Sequence, residues 1–262
     1  MATNKSILAL ENVSIGYKES GKQSVISKGI NVDFTKGTLI AIVGANGVGK
    51  STLLRTLSNL QPALLGAIKI EGKSIKEFQP NELASQLSLV LTEQIASKNL
   101  TVGEIVALGR QPYTNWIGTL SEKDQLLIKQ ALKATHTLEL ADKKCHQLSD
   151  GQFQKVMIAR ALAQETPLII LDEPTTHLDM YHKAYILNLL KKLCADFDRT
   201  IIFSTHEIEL ALQLSDHLLV MKTNTVEFGT PEELIKEQVF ESLFPDDLII
   251  FDKNTASFRV KS

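Results

Sequence analysis

The first third of the chain is made of short apolar runs separated by polar or glycine-containing turns. Runs of this kind predict β-strands. From about residue 101 to residue 134 the pattern turns helical, and after it strands and helices alternate again. We expect strands at 7–10, 12–17, 29–34, 38–43, 68–70, 87–91, 168–172, 200–204 and 217–221. We expect helices at 50–60, 150–164, 179–197 and 207–214.

Two capping signals support the helical middle of the chain. Thr101 is followed three residues later by Glu104, which is the pattern of a capping box at the start of a helix. Ser121 and Asp124 have the same spacing. Because strands and helices alternate on both sides of this stretch, the order of elements predicts an α/β fold with a parallel sheet and a helical insertion. The tail after residue 225 mixes short strands and helices, and we assign no chemistry to it.

The composition is that of an ordinary globular protein. Of the 262 residues, 44 % are apolar and 22 % are charged, with a formal net charge of −2. We therefore expect neither a basic surface for nucleic acid nor a polybasic run for anionic lipid. The apolar runs are too short for a signal peptide or a membrane span, so we expect a soluble, cytoplasmic protein. We expect Cys145 and Cys194 to be reduced, partly buried thiols.

Residues 44–51 match the phosphate-binding loop G-x-x-x-x-G-K-[ST], and they lie between an apolar strand and a helix, as this motif requires. Glycines let backbone N–H groups approach a phosphate, and the new helix offers its positive end. Lys50 would add a charge near the β- and γ-phosphates, and the Ser51 hydroxyl would coordinate Mg²⁺. The motif therefore predicts ATP and Mg²⁺ as ligands. The expected nucleotide contacts from this segment are Gly44, Ala45, Asn46, Gly47, Val48, Gly49, Lys50, Ser51 and Thr52.

A continuous apolar run ends at the acidic pair Asp172 and Glu173. Open α/β sheets bind ligands at the carboxyl ends of their strands. Asp172 is expected to hold Mg²⁺, directly or through water, and Glu173 to polarise the attacking water. Taken alone, the pair could simply cap the following turn. Together with the phosphate loop, it favours a nucleotide-hydrolysing site.

Residues 148–152, Leu-Ser-Asp-Gly-Gln, precede a predicted helix and resemble the LSGGQ signature of ABC ATPases. The rest of the chain is similar to that family in the same order. Gln94 resembles the Q-loop glutamine, Asp179 lies in a stretch that resembles the D-loop, and His206 resembles the switch histidine. Tyr17 falls where the family stacks an aromatic ring on adenine.

Each of these residues also has a plain structural interpretation. Gln94 could be a polar loop residue, His206 a helix cap, and Tyr17 a packing residue at the end of a strand. Ser149 is expected to be both a helix cap and a nucleotide ligand. Two departures from the family pattern stand nearby, Asp150 in place of the first signature glycine and Phe153 where many members carry a basic residue. We nevertheless expect an active enzyme.

The resemblance implies a P-loop NTPase (RecA-like) core with a parallel sheet, an N-terminal antiparallel β subdomain and an inserted all-helical subdomain. We expect the core with its β subdomain at 1–93 and 156–225, the helical signature subdomain at 94–155 and a C-terminal extension at 226–262. It also implies a head-to-tail dimer with ATP between the phosphate loop of one copy and the signature of the other. The implied catalytic residues are Glu173, His206 and Lys50; the further nucleotide contacts are Tyr17, Gln94, Ser149, Gly151, Gln152 and Asp179; the implied Mg²⁺ ligands are Ser51, Gln94 and Asp172.

Residues 108–113, Leu-Gly-Arg-Gln-Pro-Tyr, resemble an LGR-x-P stretch in ATPases of iron-siderophore, haem and vitamin B12 importers. Those proteins often carry His where Tyr113 stands. On the local pattern alone, Pro112 is a helix stop and Arg110 a solvated or capping residue. The importer interpretation implies two copies of this chain, membrane permease subunits and an extracytoplasmic solute-binding protein, with the ATPase held at the cytoplasmic face of the membrane. It implies no nucleic-acid partner.

Other functions remain open at this point. The chain could serve a zinc or manganese importer, or an exporter. It could be an ABC ATPase without a permease that acts on nucleic acid or the ribosome, although the chain lacks a basic face. A P-loop kinase for a small molecule is a further alternative, but it gives no account of residues 148–152 or of His206.

Overall fold

The computed structural model describes residues 5–19, 22–91, 99–244 and 248–261. The strands are β1 Ser6–Glu19, β2 Lys22–Thr35, β3 Leu39–Gly44, β4 Leu65–Ile70, β5 Lys73–Ser74, β6 Leu87–Val90, β7 Leu168–Leu171, β8 Thr200–Ser204, β9 His217–Lys222, β10 Thr225–Gly229, β11 Ile249–Asp252 and β12 Ser257–Val260. The α-helices are α1 Lys50–Leu57, α2 Pro80–Gln86, α3 Val102–Ala107, α4 Glu122–Ala134, α5 Asp150–Ala163, α6 Met180–Phe197, α7 Ile208–Leu214 and α8 Pro231–Lys236. Short 3₁₀ helices lie at Ile75–Glu77, Leu108–Tyr113, Leu138–Leu140, Cys145–Gln147 and Val239–Ser242.

The described strands form two main sheets. The central sheet has six strands in the order β10-β9-β3-β8-β7-β6, and its strands from β9 to β6 are parallel. A second sheet of order β2-β1-β4-β5 is antiparallel and comes from the N-terminal part of the chain. Helices α3, α4 and α5, which lie between β6 and β7 in the sequence, pack on one another. The expected α/β fold with a parallel core, an antiparallel β unit and a helical insertion is confirmed.

Alternate residues of the central strands enter two different cores. Leu39 and Ala41 pack with side chains of α3, α5, α6 and α7. Ile40 and Ile42 point the other way, into a core shared with α1 and the antiparallel sheet. Because both faces of the parallel sheet are covered, its strands consist of continuous apolar runs rather than alternating ones.

The order of the central strands places three chain segments at one edge. Strand β3 leads into the phosphate loop and α1, while its neighbour β8 leads to His206. Strand β7 pairs with β8 on the other side and leads to Asp172 and Glu173. Since these strands run parallel, the loops that follow them open on the same side of the sheet.

Several predicted element boundaries differ from the structure. The strands expected at 7–10 and 12–17 are one strand, β1, whose register with β2 shifts between Leu10 and Val13. Helix α2 was not expected, since it has only seven residues and none of them is buried. Helix α1 ends at Leu57, earlier than expected. The expected domain division at residues 155 and 156 falls inside α5, and the division remains a prediction.

The capping signals correspond to real hydrogen bonds. The Thr101 hydroxyl accepts the N–H of Glu104 at 3.2 Å, and the Thr101 N–H donates to the Glu104 carboxylate at 2.7 Å. Ser121 and Asp124 form the same reciprocal pair at the start of α4. The expectation of two thiols is confirmed as well, because Cys145 and Cys194 are free and buried. None of the helices in the described part of the chain is long and apolar enough to cross a bilayer.

Arg110 was expected to be a solvated or a capping residue, and the first of these alternatives is wrong. Its side chain is only 2 % exposed, and its Nε donates to Asp124 Oδ1 at 2.8 Å. Its Nη1 donates to the carbonyl of Ala163, the last residue of α5, at 2.8 Å. The guanidinium also lies over the ring of Tyr113 at 4.1 Å. One buried cation therefore ties the 108–113 segment to the start of α4 and the end of α5.

Arg110→Ala should strongly destabilise the protein, because it leaves the Asp124 carboxylate buried without its cation. The expected loss in the free energy of unfolding is about 3–5 kcal/mol. Lys69→Ala is a suitable control, since Lys69 makes an exposed ion pair with Glu11 at 2.6 Å and should contribute less than about 1 kcal/mol. Urea unfolding of both variants measures the difference. Equal losses would contradict the role of Arg110.

Candidate active site

The phosphate loop is shaped by glycines at positions that exclude a side chain. Gly49, the residue before α1, has φ +108, and an added Cβ would lie 2.4 Å from Ile26 Cγ2. Gly44 has φ +154, and its added Cβ would lie 2.5 Å from the carbonyl oxygen of Met221. Both the backbone angle and the available space therefore demand glycine at these two positions.

Lys50 is the first residue of α1, and its side chain is folded back over the loop. Its Nζ donates to the carbonyls of Gly44 at 3.0 Å and Ala45 at 3.3 Å. The residue is only 5 % exposed. Burial lowers the pKa of Lys50, and the nearby carboxylates of Glu173 and Asp172 oppose that shift. The ammonium group is thus held at the mouth of the loop, facing two carboxylates.

Ser204, the last residue of β8, joins the two acidic residues. Its hydroxyl donates to Asp172 Oδ1 at 2.7 Å and accepts the backbone N–H of Glu173 at 2.9 Å. The Ser51 hydroxyl donates to the same Asp172 oxygen at 3.2 Å. Sequence reasoning missed Ser204. The available signal was a hydroxyl at the carboxyl end of a predicted strand, two residues before His206.

The carboxylate of Glu173 is held from both sides. Its Oε1 lies 2.6 Å from His206 Nε2, and its Oε2 accepts the hydroxyl of Thr176 at 2.9 Å. The other ring nitrogen of His206 lies 3.4 Å from Lys50 Nζ. Glu173 also has φ +50, a left-handed backbone angle that is uncommon for a residue other than glycine. Strained backbone of this kind clusters at functional sites.

A cavity of about 500 Å³ opens over the loop and these side chains, a size typical of small-ligand sites. The Tyr17 ring lies at its edge, 42 % exposed, and its hydroxyl is 2.8 Å from Thr52 Oγ1. The cavity is lined by Tyr17, Ile26, Asn46, Gly47, Gly49, Lys50, Ser51, Thr52, Glu173 and His206. The structure thus brings Tyr17, Glu173 and His206 together with most of the expected phosphate-loop residues. Gly44, Ala45 and Val48 were also expected as contacts and are not among the described lining residues.

The signature residues lie elsewhere in the same chain. Ser149 caps α5, since its hydroxyl accepts the N–H of Gln152 at 3.3 Å, so the expected capping role is confirmed. Ser149, Gly151 and Gln152 are not among the described residues that line the 500 Å³ cavity. Asp179 caps α6 and is exposed. Gln94 lies outside the described residues.

Residues 27–176 match the family model described as ABC transporter, which is more than half of the chain. This chain belongs to the ABC transporter family. It is an ATP-binding cassette of that family, and the expectation of an ATPase is confirmed.

Related ABC proteins cover almost the whole chain. The probable siderophore transport system ATP-binding protein YusV of Bacillus subtilis is 39 % identical over 91 % of this chain and 86 % of its own. The iron(3+)-hydroxamate import ATP-binding protein FhuC of B. subtilis is 36 % identical over 95 % and 91 %. The ferric enterobactin transport ATP-binding protein FepC of Escherichia coli is 34 % identical over 94 % and 90 %.

Solved ABC structures share the fold. A nucleotide-free ATP-binding cassette has a TM-score of 0.78 at 26 % identity, covering 90 % of this chain and 96 % of that one. The dimeric cassette MJ0796, in a post-hydrolysis state with ADP and Pi, has a TM-score of 0.73 at 28 % identity, covering 86 % and 98 %.

Ser204→Ala should lower the ATPase turnover of this cassette while leaving it folded. The change removes the hydroxyl that orients both Asp172 and Glu173, and a misplacement of about 1 Å can reduce a rate about 100-fold. Ser88→Ala is the matched control, since the Ser88 hydroxyl is buried without a hydrogen-bond partner among the described residues. Steady-state phosphate release measures kcat for both variants. Equal rates would show that Ser204 does not position the acids.

Proposed function

We propose that this chain hydrolyses MgATP to drive import of an iron complex (a siderophore or haem) or vitamin B12 through a separate membrane permease. The observation that carries the hydrolytic part is the row Lys50–His206–Glu173 at the mouth of the phosphate loop. The solute class is supported by the resemblance of residues 108–113 to importers of these solutes and by the siderophore-related names of its relatives.

In this proposal, the phosphates of ATP bind to the backbone N–H groups of the loop and to Lys50. The oxygen atoms of Ser51 and Asp172 face each other at 3.2 Å, and hard oxygen ligands suit Mg²⁺. Bound Mg²⁺ would neutralise charge that develops on the phosphates. Gln94 is proposed as a further ligand from the resemblance alone.

Glu173 is the proposed general base. Its carboxylate is fixed by His206 and Thr176, so one oxygen can be held toward the water that attacks the γ-phosphate. His206 then faces the transferred phosphoryl group together with Lys50. Phosphoryl transfer needs positioning and charge neutralisation more than covalent help. Tyr17 is proposed to stack on the adenine ring at the edge of the same cavity.

The remaining nucleotide contacts are proposed to come from a second copy of this chain. Ser149 and Asp150 are exposed at the N-terminus of α5, where unpaired N–H groups and the helix dipole favour an anion. Because these residues do not line the cavity of their own chain, they would complete the site of the partner, with Gly151, Gln152 and Asp179. Hydrolysis would remove the γ-phosphate contacts and reopen the dimer.

The permease is proposed to dock where α2 and α5 flank a groove of about 710 Å³. A short helix of the membrane subunit would lay its apolar face there. In this proposal the cassette is held at the cytoplasmic face of the membrane, and a solute-binding protein acts from the other side. The groove is lined by Ser58, Asn59, Leu60, Phe78, Pro80, Leu83, Ala84, Leu87, Leu89, Leu91, Met157, Arg160 and Gln164.

Glu173→Gln should abolish hydrolysis but preserve ATP binding, because it removes the base and leaves the phosphate loop intact. ATP should then hold the variant as a dimer in size-exclusion chromatography. Lys50→Ala is the contrasting variant, which should lose nucleotide affinity because the loop loses its cation. Normal phosphate release by Glu173→Gln would remove this residue from the base role.

The head-to-tail arrangement can be tested by crosslinking between copies. Asn46→Cys introduces a thiol in the phosphate loop, and Ser149→Cys introduces one at the start of α5. In the Glu173→Gln background with MgATP, mixing the two variants, each with one added cysteine, should give a crosslinked heterodimer. The native thiols should interfere little, because burial raises the pKa of Cys145 and raises that of Cys194 to about 12. Absence of an ATP-dependent crosslink would contradict the proposed dimer.

Transport can be tested in membranes that contain this chain together with its permease partner. ATP-dependent uptake of a ferric siderophore, haem or vitamin B12, lost with Glu173→Gln, is the expected result. Uptake of Zn²⁺ or Mn²⁺ instead would contradict the proposed solute class.

A further inference from the structure

His182 occupies both oxygens of the Asp179 carboxylate. Its backbone N–H donates to Oδ1 at 2.9 Å, which is the cap of α6, and its ring Nδ1 lies 2.8 Å from Oδ2. These contacts with His182 lower the pKa of Asp179, chiefly through the backbone N–H. The direction in which the Asp179 carboxylate points is therefore set chiefly by His182, in the first turn of α6, with a smaller contribution from the backbone of Tyr181.

The opposite edge of the same imidazole lies against the signature. A Cβ added to Gly151 would be 3.3 Å from His182 Cδ2 and 3.8 Å from its Cγ. Leu178 is the other neighbour, 3.7 Å from that position. Contact at 3.3 Å is closer than most side chains tolerate. The ring thus fills the space between the Asp179 segment and the first turn of α5, and Gly151 leaves room for it.

Fold stability gives little reason for this arrangement. The side chains of His182 and Asp179 are 52 % and 66 % exposed, and exposed ion pairs or hydrogen bonds contribute little to the free energy of unfolding. The backbone cap of α6 needs only Oδ1 and the N–H of His182. The ring contact with Oδ2 is additional, and it joins two segments that the proposed dimer turns toward the partner.

We propose that His182 is a positioning residue that sets Asp179 and the Gly151 turn at a fixed distance from each other. The inference rests on the proposed function, in which both segments meet the nucleotide site of a second copy. A rigid pair can dock on the partner without first losing side-chain freedom. His182 itself touches no nucleotide. Its effect is on formation of the closed dimer and on turnover, and not on ATP binding by the single chain.

Two substitutions of similar size separate the roles of the ring. His182→Asn keeps an N–H donor close to the position of Nδ1, whereas His182→Leu keeps apolar bulk and has no donor. Both retain the backbone cap. In the Glu173→Gln background, the ATP concentration that gives half-maximal dimer should rise about 10-fold for His182→Leu and less than about 3-fold for His182→Asn, as expected for loss of one charge-assisted hydrogen bond.

Three further measurements complete the test. With Glu173 intact, kcat should fall for His182→Leu while the Kd of the monomer for ATP and the thermal midpoint stay unchanged, and His182→Asn should restore kcat. The inference would be overturned if the Glu173→Gln protein dimerised equally well with and without His182→Leu. It would also be overturned if His182→Asn and His182→Leu impaired dimerisation equally. If the parent itself remained monomeric with ATP, the proposed function would fail and the inference with it.

Discussion

The hydrogen-bonded row from Lys50 through His206 to Glu173 depends on one constraint, the parallel order of three neighbouring strands. Strand β8 lies between β3 and β7, so His206, in the segment after β8, is placed between Lys50, which comes after β3, and Glu173, which comes after β7. A change in that order would separate the ammonium group of Lys50 from the carboxylate of Glu173. The parallel strands are buried on both faces, and this fixes their order because each of them contributes to two cores.

The site is also held in a conformation that is unfavourable for its parts. The ammonium group of Lys50 is buried, Glu173 has a left-handed backbone angle, and Asp172 lies in a nearly buried position. Each feature opposes folding when considered alone. Hydrogen bonds to Ser204, Thr176 and the loop carbonyls offset these costs. An arrangement of this kind is organised before its ligand binds, which is what phosphoryl transfer requires.

Helix α5 connects the parts of the molecule that are proposed to act on different partners. Its first turn carries the signature and contacts His182, while its last residue is fixed by Arg110. Between these ends, Met157 and Arg160 contribute to the groove proposed for the permease. A rigid helix held at both ends can transmit displacement along its length. The buried Arg110–Asp124 pair extends this rigid unit to α4.

The sequence alone determined the features that depend on neighbours in the chain. The phosphate loop, the capping pairs at Thr101, Ser121 and Ser149, and the buried strands could be predicted because their signals lie within a few residues. Gly49 belongs to the same group, since its motif position demands it. The family resemblance added the order of the nucleotide-binding motifs and, through it, the antiparallel unit.

The tertiary structure decided whatever joins distant residues. Ser204 meets Asp172 across 32 positions, and Arg110 reaches Ala163 across 53. A local pattern can suggest a hydroxyl or a cation but not its partner, because the strand order and the helix packing that bring them together depend on the whole core. The contact of His182 with Gly151 has the same origin. The functional residues could therefore be predicted from short motifs, while their positions relative to one another were set by long-range packing.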